Sequence, residues 1–188
     1  MRDVTYSMSM SLDAYISGPD GDFNWSEPDP EVFELATDEV RRAGVHLLGR
    51  HLYEAMLFWE SAADRRLTPA QQEFADLWNA LPKIVFSTTL TSVTGPGARL
   101  ATAGLADEVA RLRAEPGDSD IAIGGPRLAS HAADLGLIDE YRIRVYPVLV
   151  GGGSPYFAQH QRLVRLEPVE SRALASGILY LRYRTGRG

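Results

Sequence analysis

Three short stretches of this chain place glycine, arginine and hydroxyl residues where an apolar run ends. In the first, Ile121 to Ile123 runs into Gly124-Gly125, after which Pro126 opens a helical stretch that carries Arg127 and Leu128 and closes at Gly136. Glycines let a backbone approach a ligand closely, proline fits the first helical position, and the unpaired N–H groups of a helix start attract an anion. The same stretch also reads as a tight turn with no ligand. In the second, Leu47-Leu48-Gly49-Arg50-His51, a buried strand again passes through glycine into a helix start, now with a guanidinium and an imidazole at its mouth. Helix N–H groups plus arginine suit a phosphate; the alternative is that Arg50 and His51 are simply solvated. The third, Lys83 to Leu90, delivers Ser87, Thr88 and Thr89 at the end of an apolar strand, where hydroxyls either form a turn or donate to a phosphate. Ligands of open α/β sheets lie beyond the strands' carboxyl ends, so three such ends in one sheet point to a dinucleotide. The G-x-G-x-x-G fingerprint of the usual dinucleotide fold is absent.

Other residues could handle a substrate. Arg142 and Arg144 alternate with Ile143 and Val145, so both arginines share one strand face. They would grip an acidic substrate or line a solvent-facing edge. Asp13 reads as a carboxylate that stabilises a turn through backbone N–H groups, or as a substrate contact. Asp29 stands just before a helical stretch, where an N-cap or first-turn acid is favoured.

The elements that must position these residues follow from periodicity. Val4 to Leu12 alternates as a first strand, and Asp13 to Trp25 is a loop rich in Gly, Pro and Asp. Glu31 to Ala43 carries Val32, Phe33, Leu35, Ala36 and Val40 along one helical face. Val45 to Leu48 is a short strand, and a helix begins at Arg50 or His51. Thr68 caps a helix to Leu81 ahead of Pro69. Lys83 to Ser87 and Arg99 to Thr102 are strands, Leu105 to Ala114 a helix, and Tyr141 to Val150 a strand ending in three glycines. Val164 to Ala173 and Ile178 to Thr185 flank Ala175-Ser176-Gly177 as a hairpin. Strands alternating with helices, then a terminal hairpin, imply an α/β fold with a mostly parallel sheet and an antiparallel edge.

At 188 residues one domain is expected, spanning 1–188. The net charge of −6 argues against general nucleic-acid affinity. All but Lys83 of the 19 basic residues are arginine, so an anionic ligand needs arginines concentrated in one cleft. With no cysteine, disulfides and thiolate metal sites are excluded, and the four histidines lack zinc-site spacing, so no metal is expected. There is no signal-peptide pattern and no 18-residue apolar run, and the chain is expected to be cytoplasmic.

Taken together, SLDAYISGPDG (Ser11 to Gly21), LLGRHLYEAM (Leu47 to Met56), IVFSTTL, IGGPRL and VYPVLVGGGSPYF resemble the dihydrofolate reductase-like proteins. Within them the chain is most similar to the C-terminal reductase domain of riboflavin-biosynthesis deaminase-reductases and its stand-alone relatives, over nearly its whole length. The resemblance implies a three-layer fold, with a central mixed, mostly parallel sheet flanked by helices and a C-terminal antiparallel hairpin. It implies NADPH as cofactor. Gly49, Arg50, His51, Gly124, Gly125, Pro126, Arg127 and Leu128 would line its phosphates. Ser87 and Thr88, with Arg50 and Arg127, would receive the adenosine 2′-phosphate. The nicotinamide would lie near Ser9 and Ile16, beside a mobile segment starting at Ser17-Gly18. Asp29 would anchor substrate or assist protonation, while Asp13, Arg144, Gly152 and Phe157 would shape the substrate mouth. Leu52 and Ala129 depart from dihydrofolate reductase proper and put a folate substrate in doubt. The zinc deaminase motif of the bifunctional relatives is missing. The expected function is therefore NADPH-dependent hydride transfer to a small heterocycle, of riboflavin-pathway ribosylamino-pyrimidinone or pterin type. The alternative is a nucleotide-binding module without turnover. A homodimer is expected, with Ile178, Leu179 and Leu181 of the hairpin at its interface.

Overall fold

The computed structural model describes residues 1–60, 66–157 and 163–186. Its main sheet has eight strands in the order β5-β4-β3-β6-β1-β7-β10-β9. These are β1 (Val4–Ser11), β3 (Ala43–Gly49), β4 (Lys83–Phe86), β5 (Ala98–Leu100), β6 (Asp120–Gly124), β7 (Glu140–Tyr146), β9 (Leu166–Ala173) and β10 (Leu179–Thr185). From β5 to β7 every neighbouring pair is parallel, whereas β10 runs antiparallel to both β7 and β9. The helices are α1 (Pro30–Arg42), α2 (Arg50–Glu60), α3 (Pro69–Ala80), α4 (Leu105–Ala114) and α5 (Pro126–Asp134). This is the expected three-layer architecture.

Strand alternation assigns the layers. Val4, Tyr6 and Met10 of β1 join Leu47, Ile121, Ile123, Ile143 and Val145 in a core that α4 covers with Leu105, Val109 and Leu112 and α5 with Leu128, Ala129 and Ala132. Leu48 and Val85, of opposite parity, face Tyr53 of α2, Phe74 and Trp78 of α3, and Phe33, Ala36 and Val40 of α1. So α1, α2 and α3 lie on one face and α4 and α5 on the other. Caps fix where helices begin. Thr68 accepts from Gln71 N–H in a reciprocal capping box with Pro69 behind it. Asp29 accepts from Val32 N–H at 2.8 Å.

Three expectations need correction. The strand from Tyr141 stops at Tyr146 instead of Val150, because Pro147 has no N–H to continue the ladder. The segment from Asp13 is not wholly irregular: β2 (Tyr15–Ser17) pairs antiparallel with β8 (Ser154–Pro155), forming a small second sheet. Ile178 is buried against Val32 and Tyr180, leaving Leu179 and Val169 as the hairpin's exposed large apolar residues.

Candidate functional site

The strand order, not the strand direction, changes around β6. Strands β1 and β3, on either side of it, feed helices on one face, while β6 feeds α5 on the other. Neighbouring strands that send their helices to opposite faces leave a crevice beyond their carboxyl ends, the usual ligand position in open α/β sheets. Both glycine turns lie in it. Gly125 caps α5 at φ +95, a conformation that L-residues with a Cβ rarely adopt. A Cβ there would sit 3.6 Å from the Gly49 nitrogen and 3.7 Å from its Cα, so the two turns meet backbone to backbone. A Cβ on Gly124 would strike Leu52 and come within 2.8 Å of His46 Nε2.

No side chain caps α5. The amides of Arg127 and Leu128 therefore face the crevice end without an intrahelical acceptor, while Ala129 N–H already bonds to the Gly125 carbonyl at 3.0 Å. Arg50 opens α2 immediately beyond Gly49, 45% exposed. Its Nε donates to Glu54 at 2.7 Å and its Nη1 to Thr89 Oγ1 at 2.8 Å. Thr89 Oγ1 in turn lies 3.3 Å from Ser87 Oγ. Arg50 thus ties the α2 start to the turn after β4, and the three stretches read from the sequence occupy one end of the sheet. His51, Thr88 and Arg127 are exposed there, and Pro126 is half-buried. Bare glycine backbone, uncapped helix-start amides and an exposed guanidinium beside hydroxyls fit a pyrophosphate with an additional phosphate nearby.

The remaining candidates divide. Ser9 and Ile16 both lie toward the carboxyl end of β1 but against different clusters: Ile16 packs on the core under α4 and α5, and Ser9 pairs in register with Arg144 on the α1 side. Gly152 is half-buried, 3.5 Å from Pro19 when a Cβ is added. Phe157 does not line the strand ends; it packs over Tyr141 and Tyr156, with ring centroids at 6.1 and 4.7 Å.

Arg142 and Arg144 are neither substrate clamps nor an exposed edge, because β10 and β9 continue the sheet beyond β7 and α1 covers the face. Arg144 is 6% exposed, paired with Glu39 and bonded to Ser7 Oγ at 3.1 Å. Arg142 is held by Glu140 at 2.7 Å and Asp120 at 2.8 Å.

Asp29 is likewise engaged. The Ser176 hydroxyl, then the Val32 N–H, hold its carboxyl below the usual carboxylate range. A lowered pKa is the wrong direction for a group that delivers protons near neutrality, so the proton-donor expectation gives way to the capping role. Asp13 bonds to Ser11 within its own turn and also to Val150 and Gly151, far along the chain.

Sequence reasoning missed Glu54 as the partner of Arg50, although its i,i+4 spacing signals the pair. It also missed the buried His46 beneath Gly124. Among the described residues, no group of three or more His, Cys, Asp or Glu is placed to hold a metal, and no helix is long and apolar enough to cross a membrane. A cavity of about 300 Å³ lined by Ala133, Ile138, Tyr141, Val164 and Thr185 opens near the amino end of β7, away from the crevice.

Comparison with known proteins agrees with this architecture. The chain is 27% identical over 183 residues to the uncharacterized protein YyaP of Bacillus subtilis (strain 168), covering 97% of this chain and 94% of that one. It superposes on the crystal structure of a putative riboflavin biosynthesis protein from Shewanella sp. PV-4 with a TM-score of 0.76, at 24% identity and full coverage of both chains. It also superposes on a diaminohydroxyphosphoribosylaminopyrimidine deaminase/5-amino-6-(5-phosphoribosylamino)uracil reductase from Thermotoga maritima, with a TM-score of 0.69 and 14% identity, covering 98% of this chain and 57% of that one. These two likenesses bear on the fold. The RibD C-terminal domain profile matches residues 2–180. With crevice, sheet order and profile in agreement over almost the whole length, this chain belongs to the RibD C-terminal domain family.

Proposed function

We propose that this protein is an NADPH-dependent reductase acting on a small heterocycle, of riboflavin-pathway ribosylamino-pyrimidinone or pterin type. The observation that carries the reading is the backbone contact of the Gly49 and Gly125 turns in a crevice whose flank is held by Arg50 and Thr89. Family membership, and the uracil reductase named among the fold's neighbours, support the reaction class. In this reading Gly49, Gly124, Gly125 and the amides of Arg127 and Leu128 cradle the pyrophosphate. Arg50, Ser87 and Thr88, with Arg127 nearby, take the 2′-phosphate, because each arginine offers a charge-assisted fork that NADH would leave unpaired. Bound NADPH would supply the hydride. The ends of β1 and β7 orient the reacting ring and exclude water from it.

A second reading, a binding module without turnover, is favoured by one observation: Asp29 is committed to a helix cap. Following the absorbance of reduced nicotinamide with a panel of pterins, pyrimidinones and quinones separates the two. Oxidation with any of these substrates supports the reductase; tight NADPH binding with no oxidation supports the module. We further propose a homodimer through the C-terminal hairpin, where Val169 and Leu179 are exposed. Sedimentation at the mass of one chain would refute it.

A further inference from the structure

The loops that follow β1 and β7 are fastened together at Asp13. Its carboxylate accepts the Ser11 hydroxyl at 2.5 Å, the Gly151 N–H at 2.8 Å and the Val150 N–H at 3.2 Å. Ser11 is itself fully buried, and its Oγ accepts the Tyr15 N–H at 3.0 Å, so the fastening is rooted in the sheet. Around it, Leu12 N–H bonds to the Val148 carbonyl at 2.8 Å, Tyr156 N–H bonds to the Ala14 carbonyl at 2.9 Å, and β2 pairs with β8. Gly153 completes the contact at φ +115, where any Cβ would run into the Ser17 carbonyl and the Gly18 backbone. Besides its bond to Ser11 within the turn, the carboxylate reaches an amide 138 positions away. It holds one loop against another.

These loops continue the crevice. From β4 through β3, β6 and β1 to β7, five strand ends stand in a row. At the usual inter-strand spacing they span about 19 Å, the reach of an extended dinucleotide. With phosphates at the central glycine turns and the Arg50–Thr89 flank at the β4 end, the far end of such a ligand falls at β1 and β7. We propose that Asp13 is a positioning residue, locking the β1 and β7 loops into one wall against the nicotinamide end of the cofactor. This rests on the NADPH reading above. Asp13 acts through the loops and need not touch the cofactor. The Ser11 hydroxyl, with the Gly151 and Val150 amides, holds its carboxyl below the ordinary range, so the fastening persists at neutral pH.

The test compares wild type, Asp13→Ala and Asp13→Asn in three measurements: amide exchange at Val150 and Gly151, fluorescence of bound NADPH, and affinity for adenosine 2′,5′-bisphosphate, which lacks the nicotinamide. In Asp13→Ala, exchange at both amides accelerates and the fluorescence enhancement of bound NADPH is lost, while bisphosphate affinity is retained. Asp13→Asn keeps the side chain's shape and one acceptor oxygen, and lies between the two. It decides the matter if the alanine variant does not fold. Faster exchange with full fluorescence enhancement in either variant overturns the proposal and leaves the NADPH reading intact, as does unchanged exchange at Gly151. A wild-type protein that binds neither NADPH nor the bisphosphate overturns the NADPH reading itself.

Discussion

Arg50 and Arg127 belong to the same sheet architecture as Arg142 and Arg144, yet the fold treats the two pairs in opposite ways. At the carboxyl ends of β3 and β6, Arg50 stands 45% exposed, with one edge on Glu54 and another on the Thr89 hydroxyl. In the interior of β7, Arg144 is 6% exposed and committed to Glu39 and Ser7, and Arg142 to Glu140 and Asp120. An arginine enclosed with its counter-charges is shut away from a ligand by the layers around it. One placed at an open strand end, beside uncapped helix amides, does. The chemistry of the residue type is the same; its availability is set by the layer that covers it.

The comparison breaks most visibly at Arg144. Arg144→Ala leaves Glu39 without its counter-charge at a largely buried position, with bonds left to the Ser7 and Tyr180 hydroxyls, and removing one member of a buried pair costs about 3–5 kcal/mol. An unfolding free energy from denaturant melts lowered by that amount is expected, and an unchanged value would mean the pair is not enclosed in solution. The interior has a second signature in His46. Burial, reinforced by the Lys83 charge, lowers its pKa from 6.5 to about 4. The unfolded chain then takes up a proton that the folded one refuses, so stability falls as pH drops from about 6.5 toward 4, by about 3 kcal/mol at the lower end. Denaturant melts of wild type and His46→Gln across that window check this: the variant should lose the His46 part of the slope. The smallest effect belongs to the open end. Arg127→Ala should shift stability by no more than about 0.5 kcal/mol, as for exposed substitutions generally. A larger loss would show that Arg127 is structural.

Much of the glycine-turn crevice is legible in the sequence because its signals are local. Strand, glycine and proline follow one another at Ile123 to Pro126, and Thr68-Pro69 marks a helix start that the structure reproduces. Leu105–Ala114 coincides with its 4-and-3 spacing. What escapes local reading depends on contacts across the chain. Alternation puts Arg142 and Arg144 on one face of a strand, but it cannot say that α1 and the β9–β10 hairpin will enclose that face. The Asp13 carboxylate meets amides beyond β7 that no spacing rule connects to it. Phe157 follows the glycine loop in sequence, yet packs at a tilt against Tyr156 and Tyr141 instead of facing the strand ends. The loops beyond β1 and β7 are assembled from such distant pieces, which is why that end is the less readable half.

The central claim is that the Gly49–Gly125 crevice binds NADPH with its 2′-phosphate at Arg50. It is tested most directly by titrating NADPH and NADH into wild type and Arg50→Ala. The account predicts that wild type prefers NADPH. The variant should lose about 10–100-fold of its NADPH affinity, the worth of hydrogen bonds to a charged group, while its NADH affinity stays unchanged. Equal loss for both cofactors, or no preference in wild type, would contradict it.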